Sequence, residues 1–114
     1  MKRVPAPLAV ALLLIPLAGC GSDSGGPQPL TVTVSVADNS YSPVTVTIPV
    51  GSTVNWNWAG TQQHDVVWSA TNAPAAAPLQ VTGTYQRVFN ATGTFAYFCS
   101  IHVAEGMTGT VVIE

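Results

Sequence analysis

Leu30-Thr31-Val32-Thr33-Val34-Ser35-Val36 alternates apolar and hydroxyl side chains without a break. A period of two places one set on each face of a pleated strand, and no helix presents them that way. The pattern recurs further along. Val44, Val46 and Ile48 alternate with Thr45 and Thr47, and Val54, Trp56 and Trp58 alternate with Thr53, Asn55 and Asn57. Further strands are expected at His64–Trp68, Thr84–Phe89, Thr94–Cys99 and Thr108–Ile113. Turn signals separate the runs at Asp38-Asn39-Ser40, Pro49 to Gly51, Ala59-Gly60 and Asn90 to Gly93. From Thr31 to Glu114 there are 14 Val and 13 Thr, with Leu79 the one leucine and no lysine. β-Branched side chains suit a pleated surface better than a helix. About seven short strands predict an all-β chain folded as a two-sheet sandwich or small barrel. Ser69 to Gln80 is the one long irregular stretch, expected to cover an apolar end of the sandwich or hold one short helical turn.

The N-terminus has a different character. Lys2 and Arg3 precede an apolar run from Val4 to Ala18 broken by Pro5, Pro7 and Pro16. That is the pattern of a secretory signal, too short to span a membrane as a helix. It ends Leu17-Ala18-Gly19-Cys20, which resembles the lipobox of bacterial lipoproteins. The reading is a signal peptide over residues 1–19, a lipidated Cys20 with a flexible Gly/Ser/Pro tether over 20–29, and a folded domain over 30–114. An ordinary signal peptide would instead leave Cys20 as an exposed thiol. The domain is then expected outside the cytoplasm, held to a bacterial membrane on its periplasmic or cell-surface face. The chain is 47% hydrophobic and 7% charged, with a net charge of −2. Removing residues 1–19 also removes Lys2 and Arg3, so Arg87 alone faces five carboxylates, a balance of −4. Such a chain lacks the basic patch of a nucleic-acid binder, and its acidic surface attracts cationic partners. Asn90-Ala91-Thr92 matches a glycosylation sequon and is read as a turn.

The rare residues are grouped. His64 and His102 are the two histidines, Cys99 is the one cysteine of the domain, and Met107 is the one methionine after the initiator. Three of the four fall between Cys99 and Met107. Each alone has an ordinary explanation: a buried cysteine, a core methionine, a surface histidine. Together they form a soft ligand set. Two His and one Cys in a plane, with a weak axial Met, is the arrangement of blue-copper electron-transfer sites. A disulfide between Cys20 and Cys99 would join a tether to a buried strand end, and is not expected.

On these residues the chain resembles the plastocyanin-like cupredoxins. Gly93-Thr94-Phe95-Ala96-Tyr97-Phe98-Cys99-Ser100-Ile101-His102-Val103-Ala104-Glu105-Gly106-Met107-Thr108-Gly109-Thr110-Val111 matches that family's Cys-x2-His-x4-Met loop and flanking strands. Gln63-His64-Asp65-Val66-Val67 matches its first-histidine strand, and Tyr41-Ser42-Pro43 and Gly51-Ser52-Thr53-Val54 match its N-terminal strands. The resemblance implies a Greek-key β-sandwich over residues 30 to 114, one type 1 copper held by His64, Cys99, His102 and Met107, and an electron-carrier role. The chain departs from the family in four ways. Asp65 stands where Asn is usual, with a carboxylate able to accept hydrogen bonds from Ser100. Phe98 replaces a frequent Tyr, Glu105 lies inside the ligand loop, and there is no acidic run like that of plant plastocyanin.

The expected function is a monomeric, non-enzymatic carrier of single electrons between redox partners. His102 would be its port and a basic c-type cytochrome a fitting partner. The competing reading is a surface copper-handling module with the same ligands and no redox cycling. Copper enzymes need further histidines or a second loop cysteine, which the domain lacks. An inert immunoglobulin-like module leaves the clustered rare residues unexplained, and zinc also accepts this donor set.

Overall fold

The computed structural model describes residues 27–71 and 73–114. The expected signal peptide, the Cys20 attachment point and the tether up to residue 26 lie outside the described residues. The described residues form nine strands: β1 Thr31–Ala37, β2 Ser40–Ser42, β3 Thr45–Ile48, β4 Thr53–Trp58, β5 His64–Trp68, β6 Ala77–Gln80, β7 Thr84–Val88, β8 Gly93–Phe98 and β9 Thr108–Ile113. One sheet has the order β2-β1-β4-β7, and the other β3-β9-β8-β5-β6. Both are mixed: β1 runs parallel to β4 and β3 parallel to β9, and the remaining pairs are antiparallel.

The alternation read from the sequence becomes the core. Val34 and Val36 of β1, Val54, Trp56 and Trp58 of β4, Phe95 and Tyr97 of β8, and Val111 and Ile113 of β9 are all buried between the sheets. Burying a Val- or Phe-sized side chain contributes ~1.5–3 kcal/mol, which pins each strand's register to its apolar face. Aromatic rings fill the centre. Tyr97 meets Tyr41, Trp56 and Trp68 edge-on at centroid distances of 4.7, 5.5 and 5.1 Å. Leu30 and Val44 are exposed, because both precede the strands they were grouped with.

Two strands have no alternating run to announce them. β2 is three residues long, and it closes a hairpin on β1 through a turn at Asp38-Asn39, where Asn39 has φ 64°. β6 ends the stretch read as irregular and pairs only with β5, so Pro78 sits on an edge strand, where a missing N–H is tolerated. The short helical turn lies instead at Val103–Glu105, a 3₁₀ turn inside the ligand loop.

One end of the sandwich collects three connections: the β1–β2 turn, the β4–β5 loop and the β8–β9 loop. Parallel pairing sets Val36 of β1 beside Trp58 of β4, so the Asp38 turn and the loop leading to His64 emerge together. Antiparallel pairing of β5 with β8 aligns Val67 with Phe98 and brings the start of β5 to the end of β8.

Candidate metal centre

His64 opens β5 and is fully buried. Its backbone carbonyl accepts the Trp58 indole N–H at 3.0 Å, and the next carbonyl, of Asp65, accepts the Tyr41 hydroxyl at 2.6 Å. These bonds fix the backbone. The ring is fixed separately: Nε2 lies 2.9 Å from Asp38 Oδ1. Hydrogen bonds from His64 first, then from the backbone N–H groups of Gln62 and Thr61, hold the Asp38 carboxyl well below the usual carboxylate range. An ionised carboxylate only accepts, so Nε2 carries the hydrogen of this contact and Nδ1 is the ring nitrogen left to face the centre.

The β8–β9 loop supplies the other donors. Cys99 follows β8 and is fully buried. Its N–H donates to the Met107 carbonyl at 3.0 Å, and the Met107 N–H donates to the His102 carbonyl at 3.2 Å. His102 N–H in turn donates to the Cys99 carbonyl at 3.2 Å. The three loop residues are therefore joined through their backbones into one closed turn. Met107 is also fully buried.

His64 Nδ1, His102 Nδ1 and Cys99 Sγ converge. The two nitrogens are 3.1 Å apart, and they lie 3.8 and 3.6 Å from the sulfur respectively. Among the described residues these three form a group able to hold a metal ion. Lone pairs facing one point are stabilised by a cation between them. The bonds zinc makes, ~2.0–2.1 Å to imidazole and ~2.3 Å to thiolate, connect donors spaced about 3–4 Å apart, and the observed spacings fit a metal ion bound in that way. Two imidazoles and a thiolate are the soft donors that copper takes.

Asp65, 6% exposed, ties the His64 segment to the ligand loop. Its carboxylate accepts the Ser100 N–H at 2.7 Å and the Ser100 hydroxyl at 2.6 Å. The residue after one histidine is thus tied to the residue after the cysteine, as the sequence suggested. Glu105 sits exposed on the 3₁₀ turn and His102 is half-buried. Asp38 was missed because it reads as an ordinary turn residue. The only signal that finds it is the parallel β1–β4 pairing, which is a tertiary fact.

Comparison with known proteins agrees with this geometry. Residues 29–114 match the family of copper binding proteins, plastocyanin/azurin family. Plastocyanin from Scenedesmus fuscus is 32% identical over 85 residues, an alignment covering 65% of this chain and 86% of that protein. A reduced amicyanin variant superposes with a TM-score of 0.64 at 30% identity, covering 74% of this chain and 82% of the other. A copper-containing nitrite reductase from Thermus scotoductus SA-01 superposes with a TM-score of 0.61 at 28% identity, covering 78% of this chain but only 23% of the reductase. The buried His64–Cys99–His102 triangle and the family match over almost the whole described domain lead to one conclusion: the chain belongs to the plastocyanin/azurin family of copper-binding proteins, and the metal its centre takes is copper.

Proposed function

We propose that this chain is a type 1 copper electron carrier, with His64, Cys99 and His102 as the strong ligands and the Met107 thioether as the weak axial one. Bound copper supplies the Cu(I)/Cu(II) couple. The protein's part is to keep the donors still while the charge changes. The observation that carries this reading is the bracing: His64 is held at both its backbone and its ring, and Cys99, His102 and Met107 share one hydrogen-bonded turn. Donors so held change little between oxidation states, so little reorganisation opposes transfer. Asp65 and Ser100 lock the two ligand-bearing segments together.

His102 is the proposed port. It is half-buried, and Ile101 and Val103 beside it are 48% and 47% exposed. A small apolar rim around a ligand edge suits brief docking over a limited area. With its acidic balance the mature chain is steered toward basic redox partners, such as a c-type cytochrome with a lysine rim. In this reading the domain works as a monomer tethered through lipidated Cys20, on the extracytoplasmic face of a bacterial membrane.

The test is the visible spectrum of the copper-loaded, oxidised protein followed by redox titration. An intense blue band with a reversible one-electron couple is expected. A colourless, redox-silent copper site would overturn the carrier reading in favour of copper handling.

A further inference from the structure

We infer that Asp38 is a positioning residue of the copper centre: its carboxylate, anchored to the loop before β5, holds the His64 ring with Nδ1 toward the metal and favours Cu(II) over Cu(I). The inference rests on the copper-carrier reading above. Asp38 comes from the β1–β2 turn, and no feature of the ligand motif points to it. Its Oδ1 accepts from His64 Nε2 at 2.9 Å, Gln62 N at 3.0 Å and Thr61 N at 3.1 Å. Its Oδ2 accepts from the Thr61 hydroxyl at 3.0 Å and Thr61 N at 3.2 Å. A carboxylate with this many donors cannot swing away from the imidazole.

The packing leaves room for this arrangement and for little else. A Cβ placed on Gly60 would overlap the Asp38 carboxylate, so the loop passes close only because residue 60 is glycine. The two other hydrogen bonds around His64, from Trp58 and Tyr41, reach backbone carbonyls and do not touch the ring. Packing holds the buried ring in place, and the Asp38 contact adds the hydrogen bond that fixes which nitrogen faces the centre. Hydrogen bonding of the far N–H to an anion also makes the near nitrogen a stronger donor. The more positive ion gains more from a stronger donor, so the effect falls on the balance between oxidation states as well as on affinity.

The experiment compares the full chain as wild type, Asp38→Asn, Asp38→Ala and Thr61→Val. Cu(II) and Cu(I) affinities are measured by competition with chelators selective for each ion, and copper-free melting is recorded alongside. In Asp38→Asn the amide oxygen takes the Oδ1 place and keeps the His64 bond, while the amide NH2 faces the Thr61 hydroxyl, which can accept. That variant loses the charge and the longer Thr61 N–H contact at 3.2 Å, and keeps the bonds to His64, Gln62 and Thr61 N–H at the Oδ1 place. Its ratio of Cu(II) to Cu(I) affinity should fall about tenfold, which raises the one-electron potential by about 59 mV. Asp38→Ala removes the ring's hydrogen bond and should weaken Cu(II) binding ~10–100-fold. Thr61→Val removes one donor to Asp38 but leaves the His64 bond and the backbone N–H bonds, so it should change the affinities far less than Asp38→Ala. The inference is overturned if the Asn and Ala variants bind both ions like wild type, or if they weaken Cu(II) and Cu(I) binding equally, which would make Asp38 a loop anchor alone. Failure of wild type to bind copper with a blue band would overturn the underlying reading instead, and melting identifies a variant that simply unfolds.

Discussion

Removing the Asp65 carboxylate should loosen the centre before any metal is added. Asp65→Ala deletes two short hydrogen bonds, of 2.7 Å from the Ser100 N–H and 2.6 Å from its hydroxyl. Hydrogen bonds to charged groups contribute ~1.5–3 kcal/mol each. Ser100 is exposed, so water replaces the partner of its hydroxyl and part of that of its N–H. The net cost is then about 2 kcal/mol rather than the sum. For a domain of this size each kcal/mol moves the melting point by roughly 4–8 °C, so a fall of roughly 8–16 °C is expected in the copper-free protein. Asp65→Asn should fall between wild type and Ala. Its amide oxygen still accepts the Ser100 N–H, and its NH2 donates to a hydroxyl that can turn to accept, so only charge assistance is lost, about 1 kcal/mol. Thermal melts followed by circular dichroism, after chelation of copper, measure all three. An Ala variant melting within 2 °C of wild type, with 2 °C taken as roughly the smallest shift the ~4–8 °C scale makes meaningful, would refute the claim that this carboxylate ties β5 to the ligand loop. So would an Asn variant less stable than the Ala one.

Four further outcomes are expected. Cys99→Ser should fold but lose the blue colour on copper loading, because a hydroxyl cannot supply thiolate-to-copper charge transfer; a retained intense band in the visible spectrum contradicts the ligand assignment. Gly109→Ala should cost ~1–3 kcal/mol in denaturant unfolding, since its Cβ would overlap the Tyr97 ring, which Tyr41, Trp56 and Trp68 hold in place. Glu105→Gln should slow electron transfer to a basic cytochrome at low salt, with the gap closing as salt screens charges beyond ~8 Å; coincident stopped-flow rates at low salt would remove Glu105 from partner steering. Cys20→Ala should release the protein from membranes or block its processing, and a mutant that matures and still fractionates with membranes would sink the lipid anchor.

Seven of the nine strands found among the described residues were legible in the sequence, and β1, β3 and β4 were read from period-two alternation because the two-sheet core imposes that period. Val34 and Val36, or Val54, Trp56 and Trp58, are buried on one face as the pattern requires. β2 and β6 carry too little pattern to show. One is three residues long, and the other contains Pro78 and has a partner on one side only. β5 breaks the alternation, with His64, Asp65 and Val66 all buried, because the register shifts between His64 and Val66 where β5 meets β6. The ligand set was legible for a different reason. Soft donors are scarce in this sequence, so their clustering stood out without any structural information. Asp38 was not legible, because carboxylates are common in turns and its importance arises only from the parallel register of β1 against β4.

The two carboxylates near the centre make one argument together. Asp38 and Asp65 both act next to His64: one grips its ring, and the other extends from the neighbouring backbone to the loop after Cys99. Each fixes geometry through bonds to N–H groups and each adds a negative charge. The geometric effect is alike for both oxidation states, because held donors serve either ion. The electrostatic effect is not. Two negative charges beside the metal stabilise the more positive ion, so both push the centre toward Cu(II) and lower its potential. Neutralising either one should raise the potential, and the two increments should add unless the sites couple through His64, which both touch or adjoin. A double variant, Asp38→Asn with Asp65→Asn, separates these cases. Additive shifts mean that each carboxylate acts through its own field. A shift smaller than the sum means that the two carboxylates are coupled through His64, so that neutralising one already weakens the influence of the other on the metal.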